Sequence, residues 1–246
     1  MHPSRGGSAC PFGGCARREQ ARFLSWNANA LAHRDPAIRR RKRSLLAQLL
    51  RDVDFAVIQE THADYEGICV HFPELRDKFA IFASPCPTLG AGGVLTLIAK
   101  RIADAASAPC VTSFSPGRVL RVRIVVEGIT NVIWNVHNHD LSHGELACIQ
   151  GALRADIAEA RQSQGRMCAI VGGDFNFAAH ACPAIRPGEL DGPRGVDRGS
   201  RPGQRELSGA LCDMVEVTAA AYTHFDLKNN IFTAIDRFSL RWNHGS

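Results

Sequence analysis

The stretch IVGGDFNF, Ile170 to Phe177, ends an apolar run in two glycines, a carboxylate and an amide. Side chains alternate along an extended chain, so Asp174 and Asn176 point the same way while Phe175 points back into the core. Three more apolar runs end or break in polar groups of this kind: Asn27 with Asn29, Gln59 with Glu60, and Asn135 with His137 and Asn138. Asp236 lies within a further one, FTAIDRF. Any single pair reads as a turn or a cap, because Asp and Asn end strands. Together they supply carboxylates, amides and an imidazole but no thiolate, which is the donor set of a hard-metal phosphoryl site. Mg2+ takes oxygen from one or two carboxylates and keeps waters for the substrate phosphate. Amides and imidazole can donate to phosphate oxygens as charge grows there.

Strands must carry these groups, and helices must cover the strands. RFLSWN and DFAVIQET read as short strands, as do Ile68–Phe72, Phe79–Ala83, Val94–Ala99, Val119–Val126, Asn131–Val136 and MCAIVGGDFN. The residues NIFTAIDRFSL form a last strand, after strands or short helices around Leu207–Val217. Two helices are strongly marked. The first has Asp35 as N-cap, Pro36 at its first position and a stripe of Ile38, Leu45, Leu46, Leu49 and Leu50. The second opens with Ser142 and Glu145 at capping-box spacing and ends before Gly165. Strands mixed with helices, and no linker between separate cores, predict one α/β domain over residues 21–246. Residues 1–20 read as an unordered leader, and 181–205 as a long Arg, Gly and Pro-rich loop or insertion.

Composition narrows the partners. A net charge of +5, with 45% hydrophobic and 22% charged residues, is that of a globular protein open to a polyanion. No apolar run is long enough to cross a membrane, and the start lacks the apolar core of a secretory signal. The nine cysteines are odd in number and lack zinc-knuckle spacing, and Cys148 and Cys168 sit in apolar runs. That usage places the chain in a reducing intracellular compartment, nucleus or cytoplasm. RRRKR, Arg39 to Arg43, reads as a grip on nucleic-acid phosphates, as a nuclear localisation patch or as a solvated helix face. Arg186, Arg194, Arg198, Arg201 and Arg205, in the Gly and Pro-rich stretch, read either as a substrate-gripping loop or as a disordered surface insertion. His62, His71, His139, His143 and His224 lack ligand spacing and read as ordinary.

The ordered series SWNAN, VIQET, NVHNHDL, GGDFN and AIDRF resembles the endonuclease/exonuclease/phosphatase superfamily, from Phe23 to about Leu240. That superfamily includes abasic-site endonucleases, DNases, non-LTR retrotransposon endonucleases and lipid or nucleotide phosphodiesterases. The resemblance implies a four-layer α/β sandwich of two packed, mainly antiparallel β-sheets flanked by helices. It also implies a Mg2+-dependent phosphodiesterase, with Mn2+ as the alternative ion, acting on nucleic acid and on DNA rather than RNA. A retroelement origin is part of the same expectation. By the resemblance, Glu60 is the metal carboxylate with Asn27 beside the ion. Asp174 serves the metal and the attacking water, and Asn176 holds a phosphate oxygen. Asn135, His137 and Asn138 stand where the family contacts phosphate, and Asp236 supports the metal or orients a catalytic histidine.

Three departures qualify it. Asn29 stands where many DNA endonucleases carry Asp, and Asn135 where abasic-site enzymes carry Tyr. The family's Ser-Asp-His motif on a final strand has no counterpart before Ser246. A C-terminally truncated chain is therefore expected, one that cleaves very slowly or not at all, with His137 the imidazole placed to substitute. The other reading is a catalytically inactive nucleic-acid-binding or scaffold domain that keeps the fold.

Overall fold

The computed structural model describes residues 21–88, 90–176, 204–212, 214–217, 224–226, 231–233 and 236–242. The first half runs β1 (Phe23–Asn27), α1 (Pro36–Leu49), β2 (Phe55–Gln59), α2 (Tyr65–His71), α3 (Glu74–Lys78), β3 (Phe79–Ser84), β4 (Val94–Ala99) and α4 (Lys100–Ala103). Then come β5 (Cys110–Ser115), β6 (Val119–Val126), β7 (Ile129–His137), α5 (His143–Gln162) and β8 (Met167–Asp174). Last are α6 (Gln204–Leu211), β9 (Val215–Val217), β10 (His224–Asp226), β11 (Ile231–Thr233) and β12 (Asp236–Trp242).

The strands form a four-stranded sheet in the order β1-β2-β4-β3 and a six-stranded sheet in the order β5-β6-β7-β8-β12-β9. β10 and β11 pair antiparallel as a separate two-stranded sheet. Each large sheet has one parallel pair, β1 with β2 and β7 with β8, and is otherwise antiparallel. Strand alternation then builds the layers. Phe55, Val57 and Ile98 face Leu120, Val122, Ile133 and Ile170 across the middle core. Their neighbours Ala56, Ile58 and Leu97 face outward onto Leu46 of α1, Ile68 of α2 and Phe72. On the other side Val132, Trp134, Ala169 and Val171 pack under Ile149, Leu153 and Ile157 of α5. The result is helix, sheet, sheet, helix, the four-layer sandwich expected.

Asp35 caps α1 by accepting from Ala37 N at 2.7 Å, and Ser142 and Glu145 close a capping box on α5. The strand expected at Ile68–Phe72 is instead helical. Asp64 accepts from Gly67 N at 2.8 Å to start α2, and Ile68 and Phe72, four apart, share its buried face. The last strand is likewise divided, into β11 and β12. Cys168 is buried, which pushes its thiol up to about 12, whereas Cys148 is exposed on α5 rather than in the core. Among the described residues no helix is long and apolar enough to cross a membrane. The first 20 residues and nearly all of the 181–205 stretch lie outside the described residues.

Candidate active site

β1, β2, β7, β8 and β12 bring the polar strand ends to one edge of the sandwich. In parallel register Asn27 pairs with Gln59, and His137 with Asp174. Asp236 opens β12 directly opposite Asp174 in the antiparallel register. Two side-chain contacts close the gap between the sheets. Asn27 Nδ2 donates to Asp174 Oδ2 at 2.6 Å, and His137 Nε2 lies 3.0 Å from Glu60 Oε1. Glu60, His137, Asp174 and Asn27 thus form a ring, closed by the His137–Asp174 pairing and by that of Asn27 with Gln59, the residue before Glu60.

Glu60 follows the end of β2 with φ at +57°, which turns its carboxylate out of the strand direction. His62 Nε2 lies 2.6 Å from Glu60 Oε2, and Gly92 N donates to the same oxygen at 3.3 Å. Burial alone would raise this carboxyl, but the opposing interactions, led by the hydrogen bonds of His137 and His62, outweigh it and hold it at about 2. Glu60 is therefore a carboxylate at any physiological pH. Arg118 Nη1 approaches His137 Nδ1 at 2.9 Å, and a guanidinium can only donate. Nδ1 must accept, so by this network the ring proton sits on Nε2 and faces Glu60. His62, which its spacing left unremarked, is the site residue that sequence reasoning missed. Its signal was the two-residue step from Glu60.

The remaining candidates take different places. Asp174 is buried, and Oδ1 accepts from Asn176 N at 2.8 Å while its carbonyl accepts from Asn138 N at 2.8 Å. Asn176, with φ at +55°, directs Nδ2 to the Asn138 carbonyl at 3.0 Å, leaving the second N–H of that amide for another acceptor. Asn138 is buried, and its Nδ2 donates to Phe175 O at 2.8 Å. Asn135 stands deeper, at 0% exposure between the sheets. Its Oδ1 accepts from Gln59 Nε2 at 2.7 Å, and its Nδ2 donates to Leu95 O at 2.9 Å and Ile58 O at 3.3 Å. Of RRRKR, Arg39 donates to His33 O, Lys42 to the loop after β1, and Arg43 pairs with Glu74, while Arg40 and Arg41 are exposed.

The donor set suits a hard ion, with oxygen from Glu60, Asp174 and Asn27 and no thiolate. A carboxylate offers about four lone-pair directions. Glu60 engages three here, so one remains for a metal. Among the described residues no group of three or more His, Cys, Asp or Glu side chains could hold an ion by protein donors alone. A Mg2+ site completed by waters does not need one. Beside His62 opens a pocket of about 450 Å3, lined by Ala30, Ala32, His33, Arg34, His62 and Gly90.

Two packed mixed sheets thus carry carboxylates, amides and an imidazole at one shared edge. The Endonuclease/Exonuclease/phosphatase family matches residues 24–205. The chain belongs to that family, whose members are hydrolases of the nuclease and phosphatase kind. No curated protein matches it in sequence. Among solved structures, AP endonuclease LMAP from Leishmania major has a TM-score of 0.61 at 13% identity, covering 89% of this chain and 78% of that one. D. rerio TDP2 humanised by 14 mutations gives 0.55 at 13% identity over 91% and 84% of the two chains. Truncated Caenorhabditis elegans TDP2 gives 0.51 at 15% over 89% and 83%. At these identities the likeness is one of fold.

Proposed function

We propose that this chain is a Mg2+-dependent phosphodiesterase of the endonuclease-like branch, retroelement-derived and acting on DNA in the nucleus or cytoplasm. The observation that carries the reading is the ring in which His137 meets Glu60 and Asn27 meets Asp174. Glu60 and Asp174, with the Asn27 carbonyl oxygen, would hold the ion. When bound, Mg2+ neutralises charge on the phosphoryl oxygens. Asp174, whose oxygens accept from Asn27 Nδ2 and Asn176 N, would orient an attacking water. Asn176, with its second amide N–H, would donate to a phosphate oxygen as charge develops, and His137 would do so on turning its Nε2 proton from Glu60 to the substrate. Asp236, opposite Asp174 in the β8–β12 register, would serve the same end of the site. The cationic pocket beside His62 would receive a neighbouring phosphate of a polyanionic strand, in keeping with the net charge of +5.

The test is nicking of supercoiled plasmid with Mg2+, run beside hydrolysis of an RNA of similar length. Wild-type nicking is expected to be slow, and Glu60→Gln and Asp174→Asn are each expected to lower it at least roughly hundredfold. Nicking unchanged by Glu60→Gln would overturn the assignment. A second reading, a nucleic-acid-binding domain without catalysis, is favoured by the histidines that already engage both Glu60 oxygens. Plasmid binding without nicking, insensitive to Mg2+, would select it.

A further inference from the structure

The loop after β1 reads Asn27-Ala28-Asn29-Ala30-Leu31 and contains no glycine. Nevertheless Asn29 and Ala30 take φ of +44° and +68°. A left-handed alanine is unfavourable, because its Cβ crowds the following carbonyl. The turn is tied on one side to the end of β2: Ala28 N donates to Gln59 O and Leu31 N to Glu60 O, each at 2.9 Å. On the other side the left-handed run tips three successive carbonyls toward one point, and Lys42 of α1 fills it. Its Nζ donates to Ala28 O at 2.6 Å, to Ala30 O at 2.9 Å and to Asn29 O as well. An ammonium has three donors, so this one is saturated by a single turn of backbone. Partial burial among these groups lowers its pKa.

The turn in turn sets Asn27. With Asn29 held left-handed, its N–H donates to Asn27 Oδ1 at 2.9 Å, which settles the amide orientation and leaves Nδ2 facing Asp174 at 2.6 Å. We propose that Lys42 is a positioning residue for the Asn27–Asp174 pair, clamping the Ala28, Asn29 and Ala30 carbonyls so that the Asn27 amide is aimed at Asp174. The proposal rests on the phosphodiesterase reading of that pair and adds a residue to it from a segment that looks, in sequence, like a patch for phosphates. Lys42 touches no reacting atom. It works through the backbone, and its neighbours Arg40 and Arg41 remain free for solvent or a strand.

The readout is the Asn27 side-chain amide resonance in the full chain, identified by its disappearance in Asn27→Asp. Lys42→Ala is expected to speed solvent exchange of that amide at least roughly tenfold, as loss of an ordinary hydrogen bond would. Methylammonium added to Lys42→Ala should restore slow exchange, and sodium chloride at equal ionic strength should not. Lys42→Arg is the variant that keeps the charge and the fold. A planar guanidinium cannot converge three donors on three carbonyls, so the Asn27 resonance should shift there too. An unchanged Asn27 amide in Lys42→Arg, or in folded Lys42→Ala, overturns the proposal. In plasmid nicking, Lys42→Ala should lower kcat with KM unchanged, and a raised KM with kcat intact would show a phosphate contact instead and overturn it. Failure of Glu60→Gln to slow nicking would defeat the phosphodiesterase reading, whereas the amide result bears on Lys42 alone.

Discussion

Replacing Asn135 by leucine should loosen the joint between the two sheets at the end that carries the site. Gln59 precedes Glu60, and Asn135 lies two residues before His137, so their mutual bond at 2.7 Å ties the two sheets just behind the reacting groups. Both side chains are at 0% exposure, and Gln59 Oε1 already lacks a protein partner. Asn135→Leu would strand Gln59 Nε2 as well, costing about 1–3 kcal/mol for a buried donor. Two bonds to the carbonyls of Leu95 and Ile58 also go, at about 0.5–1.5 kcal/mol each. Together they predict a loss of about 2–6 kcal/mol. Gln59→Met in the same chain removes the stranded amide, so the double variant should recover about 1–2 kcal/mol relative to the sum of the singles. Urea unfolding of wild type, both singles and the double gives this coupling directly, provided the m-values agree. A coupling below about 0.5 kcal/mol would refute the bridge.

Glu60 should dominate the acid limb of stability. Its folded value of about 2 lies below the ordinary 4.5, so its contribution is complete above that range and is lost as pH falls toward 2. The shift corresponds to about 3 kcal/mol, and unfolding of metal-free Glu60→Gln should be flatter than wild type between about pH 5 and pH 2. Equal slopes would refute the ring. Gly173 has φ at +149°, and a Cβ there would stand 1.8 Å from Val136 O. Gly173→Ala should therefore cost more than about 3 kcal/mol or leave no soluble protein. In contrast Gly151→Ala, mid-helix in α5 with open space around it, should stabilise by about 0.5–1 kcal/mol in thermal or urea unfolding.

Local chemistry was legible in the sequence. Caps at Asp35 and Ser142 act within two or three residues of themselves, so the chain order displays them. Alternation along β7 and β8 likewise assigns each side chain a face before any neighbour is known. The run at Ile68–Phe72 shows the limit, since five mostly apolar residues are too few to distinguish a period of two from one of 3.6. What the tertiary structure decided was which faces meet. Asn27 reaches Asp174 across 147 positions, and Gln59 reaches Asn135 across 76. Strand order and inter-sheet packing set those distances, and neither leaves a mark in local residue spacing. The same holds for roles. Asn135 became a strut, Lys42 a clamp and His62 a partner of Glu60 because a hydrogen-bonding group takes the nearest partner that burial leaves it. That partner is fixed only when the sheets close.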